Sequence, residues 1–328
     1  MNKKEVSKYL AYLKINKKFK YKDINCDVCG SSKRKILKKK ISWNNNRFGV
    51  LPVVCCLNCG FLYQNPRFEK NFYDRFYSEF YRKVMYSDVK PSKRFLKDQL
   101  SRGNKIFKFL KKNISMKKGK MLDVGCSSGL MLMPFLKDGW KAEGYDPEKF
   151  YVEYGKSKYN LPIEVKRCED MKLKRKSFDL ILIAGSLEHC YDPNKILKIC
   201  AKASKKNSIL VLEGRGYPRS TSKHYFNHNH HRYFTLNSFE LMMIKHGWKP
   251  ILSTLYPISG PTREGTNWVI GTFQGVNKNI KKKLNYLIKN GKNESYETMK
   301  HYFLFYDVIN KDINPNLDYI SKGVYKKK

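Results

Sequence analysis

The stretch from Asp123 to Gly129 combines residue types that suit a nucleoside or anionic ligand. Residues 121–124 predict a short buried strand, the Gly- and Ser-rich residues 125–129 predict a tight turn, and the apolar run after them predicts the start of a helix. Small residues let a ligand approach the backbone, and a helix N-terminus offers unpaired N–H groups. A second acid, Asp146, ends the next predicted strand about 20 residues after the turn, where a carboxylate can bind the hydroxyls of a ribose.

Two Cys-x-x-Cys-Gly turns, Cys26/Cys29 and Cys56/Cys59, could bring four thiols to one metal ion. Four thiolates are a ligand set of structural zinc sites, and such a site has no open coordination position, so we expect a structural Zn²⁺. Cys55 adjoins the second turn, but Cys56 has the two-residue spacing. The nine cysteines favour metal binding in a reducing compartment over a disulfide framework. The alternative is a pair of buried thiol turns without metal.

Four of the seven histidines lie between residues 224 and 231. The alternate spacing of His228 and His230 would place two imidazoles on one face of an extended segment. Such imidazoles could hold a metal ion, act as a general base or belong to a hydrogen-bonded loop. No acidic residue lies nearby in the sequence, which makes a second metal site the less favoured interpretation.

Strand-like and helix-like segments alternate through the middle of the chain, which predicts an α/β fold with a mainly parallel sheet. Strands are predicted at residues 141–146, 178–184 and 207–213, a helix at 237–247, and a final antiparallel pair at 249–255 and 267–273. Pro134, inside the helix that follows the glycine turn, is expected to kink that helix.

The chain of 328 residues is long enough for one α/β domain with smaller additions. We predict a zinc-binding domain with a basic arm at residues 1–66, an aromatic helical linker or lid at 67–117, the α/β domain at 118–276 and a lysine-rich helical appendage at 277–328. Within the linker, aromatic residues at 72, 76 and 80 and at 73, 77 and 81 have the spacing of two helix faces. We expect them to pack onto the core, although a lid over the ligand cleft is an alternative.

The order of these motifs resembles the class I S-adenosylmethionine-dependent methyltransferases, whose glycine motif reads D-V-G-C-G-x-G and here has Ser127 at the middle glycine. The resemblance implies a Rossmann-like seven-stranded sheet and S-adenosylmethionine as cofactor. It also implies which residues contact the cofactor. Asp123, Gly125, Cys126 and Gly129 would contact its methionine and ribose parts, and Asp146 would bind the ribose hydroxyls. Asp170 would contact the adenine amino group, and Ser186 and Leu187 would contact the methionine end.

The Cys turns followed by Asn65-Pro66-Arg67 resemble a group of bacterial methyltransferases that have an N-terminal zinc-binding domain and include sugar C-methyltransferases. Those enzymes carry H-E-H-x-x-Y-F-S where this chain has residues 228–235, which implies that His230 is the general base. Here Asn229 replaces the acid and Asn227 replaces a tyrosine of the C-methylating members, so O-methylation or another acceptor is open.

The same resemblance implies a small phosphorylated acceptor such as a nucleotide-linked sugar, a precursor of a surface polysaccharide. His228 and His189 are the further candidates for catalytic residues, and His189 follows the strand predicted at residues 178–184.

The chain is strongly basic, with 67 Lys+Arg against 28 Asp+Glu and a net charge of +39. Such a charge attracts polyanions, so an RNA methyltransferase is the alternative function, although lysine spread along the whole chain suggests compositional bias and no recognised RNA module is present. A third hypothesis is a binding protein that keeps the fold without activity. Apolar runs are too short for a membrane helix and the N-terminus lacks a signal core, so we expect a cytoplasmic protein.

Overall fold

The structure is a computed structural model, and it describes residues 21–38, 52–81, 90–215, 230–260, 263, 266–276, 279–290 and 294–300. Most of the predicted N-terminal arm and C-terminal appendage lies outside these residues, as do His224 and His228.

The described strands are β1 (Tyr21–Lys22), β2 (Arg34–Lys38), β3 (Val53–Cys56), β4 (Leu62–Gln64), β5 (Arg67–Phe68), β6 (Lys120–Val124), β7 (Lys141–Asp146), β8 (Ile163–Val165), β9 (Phe178–Ala184), β10 (Ser204–Arg215), β11 (Arg232–Tyr233), β12 (Trp248–Thr254) and β13 (Thr266–Phe273). The described α-helices are α1 (Lys70–Arg75), α2 (Lys93–Asn113), α3 (Met133–Lys137), α4 (Lys149–Tyr159), α5 (Pro193–Ala203), α6 (Leu236–Lys245) and α7 (Ile280–Asn290). None of the helices in this part of the chain has the length and apolar character needed to cross a membrane.

Seven strands form one mixed sheet in the order β12-β13-β10-β9-β6-β7-β8. Strands β6 to β10 pair in parallel, β13 pairs antiparallel with β10, and β12 pairs antiparallel with β13. This arrangement confirms the predicted Rossmann-like α/β fold and its final antiparallel pair. The strand order reverses between β6 and β9, and open α/β sheets bind ligands beside the carboxyl ends of the strands at such a reversal.

The apolar segment after the glycine turn begins as a 3₁₀ turn at Leu130–Leu132 and continues as α3. Pro134 lies in the first turn of α3, where its missing N–H would have no helical partner in any case. The prediction of a kink at Pro134 was therefore wrong, because the proline begins a helix instead of interrupting one.

A second, four-stranded antiparallel sheet has the order β11-β4-β3-β2. Strands β2 to β4 come from the N-terminal part of the chain, whereas β11 follows the histidine cluster and pairs Arg232 with Tyr63 and Tyr233 with Leu62. The histidine segment is therefore attached to the sheet that carries the Cys turns.

The N-terminal sheet shares a hydrophobic core with the larger sheet. Val28, Val54 and Phe61 belong to the same buried cluster as Ile183 of β9 and Leu212 of β10. The Cys turns are consequently packed against the α/β domain and not separated from it.

Candidate active site

A cavity of about 480 Å³ lies beside the carboxyl ends of β6, β7, β8 and β9. Helix α2 and the aromatic segment at residues 73–81 form further parts of its wall. The cavity occupies the place that the strand order predicts for a ligand.

The glycine turn and Asp146 form one hydrogen-bonded unit in the wall of this cavity. The carboxylate of Asp146 accepts hydrogen bonds from the backbone N–H of Ser127 and of Glu148, each at 2.9 Å. Gly125 has a φ of +80°, and a Cβ atom there would lie 2.4 Å from the Cβ of Ser186. The sharp turn thus requires glycine at position 125 and fixes the acid that was predicted to bind a ribose.

Asp123 lies at the carboxyl end of β6 but is fully buried and outside the cavity lining. Neither of its carboxylate oxygens has a hydrogen-bond partner among the described residues. Burial raises the pKa of Asp123 to about 7, with a further increase from Asp146 and an opposing effect of Arg102. An orphaned buried carboxylate next to the cavity fits a ligand that carries a cationic group.

We expect Asp123→Asn to flatten the pH dependence of stability in the cofactor-free protein. The pKa of Asp123 is near 7 in the folded protein and 3.8 is its ordinary value, so between these two pH values Asp123 is protonated in the folded state and ionised in the unfolded state. The free energy of unfolding of the protein should therefore fall as pH rises through this window, by on the order of 4 kcal/mol, and level off above it. Urea unfolding across the window measures the slope, and an unchanged slope in the variant would refute the assignment.

Besides Asp123, four of the residues predicted to contact the cofactor do not line the cavity. Cys126 and Leu187 are fully buried in the hydrophobic core, and a Cβ atom at Gly129 would meet Ile163. Asp170 is half-exposed and pairs with Arg167 and Lys195.

Asp170, the residue predicted to contact adenine, lies outside the cavity lining, whereas the two residues before it belong to the lining. Residues 168–170 form a single 3₁₀ turn, so their side chains point in three different directions, and Cys168 and Glu169 are the two that line the cavity. Ser186 lines the cavity as predicted, although its hydroxyl donates to the Val124 carbonyl oxygen at 2.7 Å.

Two polar residues of α2, Gln99 and Arg102, line the cavity and were missed by the sequence analysis. Both are buried, and Arg102 Nη2 lies 3.3 Å from the carboxylate of Glu213 at the end of β10. The signal was present in the sequence: Gln99 and Arg102 share the helix face of Leu96, Ile106 and Leu110, which is otherwise apolar. Polar residues on a buried helix stripe indicate a site.

His189 and His230 also line the cavity, with their ring centroids 4.6 Å apart. The hydroxyl of Tyr77 lies 3.2 Å from Nδ1 of His189. Burial raises the pKa of Tyr77 well above its usual value, so the phenol keeps its proton and can donate it to this nitrogen. His231 is fully buried outside the cavity against the ring of Tyr73, and burial holds its pKa well below the usual value.

An acidic residue that is distant from the histidine cluster in the sequence, Glu188, lies close to both cavity histidines. The ligand atoms of Glu188, His189 and His230 all lie within 4.8 Å of one another. Such a group could hold a metal ion or orient the imidazoles. The fold thereby supplies the acidic neighbour that the sequence around residue 230 lacks.

The aromatic segment divides into the two faces that its spacing predicts. Phe72 and Phe76 are buried and their rings stack, whereas Tyr73, Tyr77 and Tyr81 line the cavity beside the histidines. One face packs onto the core, and the other forms part of the wall of the site.

The four thiols of the Cys turns lie together, outside the cavity. The Sγ atoms of Cys26 and Cys59 are 3.6 Å apart, those of Cys29 and Cys56 are 3.5 Å apart, and all four lie within 4.8 Å. A tetrahedral ion with Zn–S bonds of about 2.3 Å places its sulfur ligands about 3.8 Å apart, so the cluster fits zinc. Cys55 is directed elsewhere, toward the carbonyl oxygens of Cys56 and Gly60.

Residues 122–212 match the family model described as "Methyltransferase domain". Over these residues the chain is similar to methyltransferase domains. The matched segment of this methyltransferase domain runs from β6 to β10 and includes the glycine turn, Asp146 and His189.

Two relatives are named "Ubiquinone biosynthesis O-methyltransferase". The protein of Rhodopseudomonas palustris is 35% identical over 98 residues, which are 28% of this chain and 38% of the relative. The protein of Pelagibacter ubique is 32% identical over 123 residues, 36% of this chain and 50% of the relative. The chain thus spans half or less of the length of these relatives.

Solved structures similar to the methyltransferase domain include S-adenosylmethionine-dependent methyltransferases of Methanosarcina mazei and Aquifex aeolicus. The first has a TM-score of 0.44 and 15% identity and covers 51% of this chain and 98% of that protein. The second has a TM-score of 0.42 and 18% identity and covers 56% of this chain and 94% of that protein.

Proposed function

We propose that the protein transfers a methyl group from S-adenosylmethionine to a hydroxyl group of a small acceptor, with His230 as the general base. The observation that carries this proposal is the composition of one cavity, which is lined both by the glycine turn with Asp146 and by two imidazoles. The relatives named as O-methyltransferases and Asn229 in place of an acid both favour oxygen over carbon as the methylated atom.

The residues of the cavity divide into a cofactor end and an acceptor end. Bound S-adenosylmethionine would supply an electrophilic methyl group for in-line displacement. Asp146 would accept hydrogen bonds from the ribose hydroxyls, while Asp123 and Arg102 suit the ammonium and carboxylate groups of the methionine part.

At the acceptor end, a neutral His230 would take the proton of the hydroxyl group as the new bond forms. His189, fixed by the hydroxyl of Tyr77, would orient the acceptor or hold His230 in position. As the acceptor we propose a nucleotide-linked sugar. The order of the Cys turns, the Asn65-Pro66-Arg67 segment and the residue 228–235 motif supports this choice. A cytoplasmic location follows from the same proposal.

We expect Asp146→Ala to abolish measurable binding of S-adenosylhomocysteine. The substitution removes both the predicted ribose ligand and the acceptor of the Ser127 and Glu148 N–H groups. Calorimetric titration of the wild type should give micromolar affinity, and Asp179→Asn serves as the control because Asp179 is bonded to Lys120 and Lys205 at the opposite end of β9. Equal affinity of the wild type and Asp146→Ala would contradict the cofactor site, and no binding by the wild type would contradict the enzyme proposal.

A cation-assisted reaction is a second candidate for the acceptor end, because Glu188, His189 and His230 could hold a divalent ion. Titration of the zinc-loaded protein with Mn²⁺ distinguishes a cation-assisted reaction from one that uses a general base. Binding that Glu188→Gln loses would favour the cation, and no binding would favour the base. The RNA methyltransferase alternative stays a prediction from the net charge of +39.

A further inference from the structure

We propose that the first Cys turn positions the two cavity histidines through Asp27, so that metal binding outside the cavity sets the geometry of its acceptor end. Asp27 lies between the two cysteines of that turn, Cys26 and Cys29. This inference rests on the roles proposed above for His230 and His189, and it assigns Asp27, Arg67 and Arg232 as positioning residues.

Two buried arginines converge on the Asp27 carboxylate. Arg232 Nε donates to Asp27 Oδ2 at 2.7 Å, and Arg67 Nη1 lies 3.7 Å from the same oxygen. The side chain of Arg232 is fully buried and those of Arg67 and Asp27 are nearly so. Because a buried charge needs a partner, these two guanidinium groups depend on the carboxylate that the Cys turn supplies.

The backbone of Asp27 is also attached to the methyltransferase domain. Its carbonyl oxygen accepts hydrogen bonds from Asn194 Nδ2 at 3.0 Å and from Lys245 Nζ at 2.7 Å. Asn194 lies in α5 and Lys245 in α6. The turn is therefore fixed on both its side chain and its main chain, and a change in the turn would be transmitted to its partners.

The same two arginines hold the segment that follows His189. Arg232 Nη2 and Arg67 Nη2 donate to the carbonyl oxygen of Tyr191, at 2.9 Å and 3.0 Å, and Arg232 Nη1 donates to that of Cys190. Cys190 is the direct neighbour of His189 in the chain. The orientation of the arginines consequently determines where the backbone places the His189 ring.

His230 is fixed by the same sheet that carries the Cys turns. Its carbonyl oxygen accepts from Gln64 Nε2 at 2.8 Å, and the carbonyl oxygen of His231 accepts from the Gln64 N–H at 2.9 Å. The N–H of His231 in turn donates to the carbonyl oxygen of Glu188 at 3.2 Å. Both histidines thus belong to backbone segments that are hydrogen-bonded to each other and to the N-terminal sheet. A metal ion that orders the Cys turns would therefore order both histidines together.

The test uses Asp27→Asn and Arg67→Lys in the full-length protein, with Asp23→Asn as the matched control. Asp23 carries the same charge in the same segment, but its side chain is exposed and bonds to Arg34 and Asn65 instead of the two buried arginines. Zinc content, affinity for S-adenosylhomocysteine and the ¹⁵N shifts of the imidazole rings are measured, and His189→Gln and His230→Gln assign the ring signals.

We expect both positioning variants to retain zinc and to bind S-adenosylhomocysteine within about twofold of the wild type, while the ring signals of His189 and His230 move. Methyl transfer to an acceptor should fall about tenfold or more through kcat, with the KM for the cofactor unchanged. Asp23→Asn should leave all of these quantities at their wild-type values. Chelation of zinc from the wild type should move the same two ring signals, which supports the inference even where Asp27→Asn fails to fold.

Unchanged ring signals in Arg67→Lys and after chelation would overturn the inference and leave the Cys turns as a separate structural element. Equal shifts in Asp23→Asn would overturn it as well, because the effect would then be one of charge alone. If the wild type fails to bind S-adenosylhomocysteine, the proposed function fails, whereas the response of the two rings to chelation still decides the inference.

Discussion

His230→Gln is expected to lower the rate of methyl transfer by about 10²- to 10⁴-fold, the range by which a positioned general base accelerates a reaction. His230 is nearly buried and lines the cavity, with its ring centroid 4.6 Å from that of His189. A glutamine at position 230 keeps most of the volume of the imidazole but has no basic nitrogen. His230 is not among the residues that we propose to hold the cofactor. Affinity for S-adenosylhomocysteine should therefore stay within about twofold of the wild-type value.

The measurement is the initial rate with the acceptor that a screen of nucleotide-linked sugars identifies, followed by calorimetry of the same variant. His189→Gln is the matched comparison, because the side chain has the same type and lies on the same cavity wall. We expect it to lose less activity than His230→Gln, since we assign it to orientation. A loss below about tenfold in His230→Gln would remove this histidine from the base position.

Cys56→Ser is expected to eliminate most of the bound zinc and to lower the Tm by ~10 °C or more. The Cys56 Sγ lies 3.5 Å from that of Cys29, within the group of four thiols. With three thiolates left, a zinc ion would lose a ligand, and the N-terminal sheet would lose a crosslink between β3 and the first Cys turn. Because this sheet shares its core with the methyltransferase domain, the loss of stability should extend to the whole protein.

Cys55→Ser is the control for this prediction. Cys55 is the preceding residue, equally buried, and has its Sγ directed to backbone carbonyl oxygens and not to the cluster. Metal analysis of both purified variants should show about one zinc ion per chain for Cys55→Ser and far less for Cys56→Ser. Equal zinc content in the two variants would contradict a four-thiolate site.

The fold was predictable because apolar strand-like segments alternate with helix-like segments through the middle of the chain. Strands β7 and β9 have the predicted bounds, and the antiparallel pair at β12 and β13 differs by one residue at some ends. The two Cys-x-x-Cys turns also predicted the group of four thiols, although the paired thiols are 27 and 33 residues apart in the chain. Asp146 lines the same cavity as Gly125 of the glycine turn.

The rest of the site depends on contacts between distant segments, which spacing does not encode. Arg102 reaches the cavity from a helix that precedes the glycine turn, and Glu188 meets His230 across the fold. Asp170 and Leu187 were assigned from their positions in a motif, but the direction of each side chain is set by a 3₁₀ turn in one case and by core packing in the other. Assigning a contact to the neighbouring residue therefore exchanges a side chain that lines the cavity for one that lies at the surface or in the core.

The pairing of β11 with β4 also affects the order in which the molecule can fold. Gln64 and His230 are 166 residues apart in the chain, and such a distant contact closes a long loop, which slows folding more than it reduces stability. During synthesis from the N-terminus, the Cys turns and the glycine turn leave the ribosome long before the strand that completes the smaller sheet. A chain that extends past Gly129 but has not reached His230 contains every thiol of the cluster and every residue of the glycine turn, but its N-terminal sheet lacks its fourth strand and its cavity lacks His230.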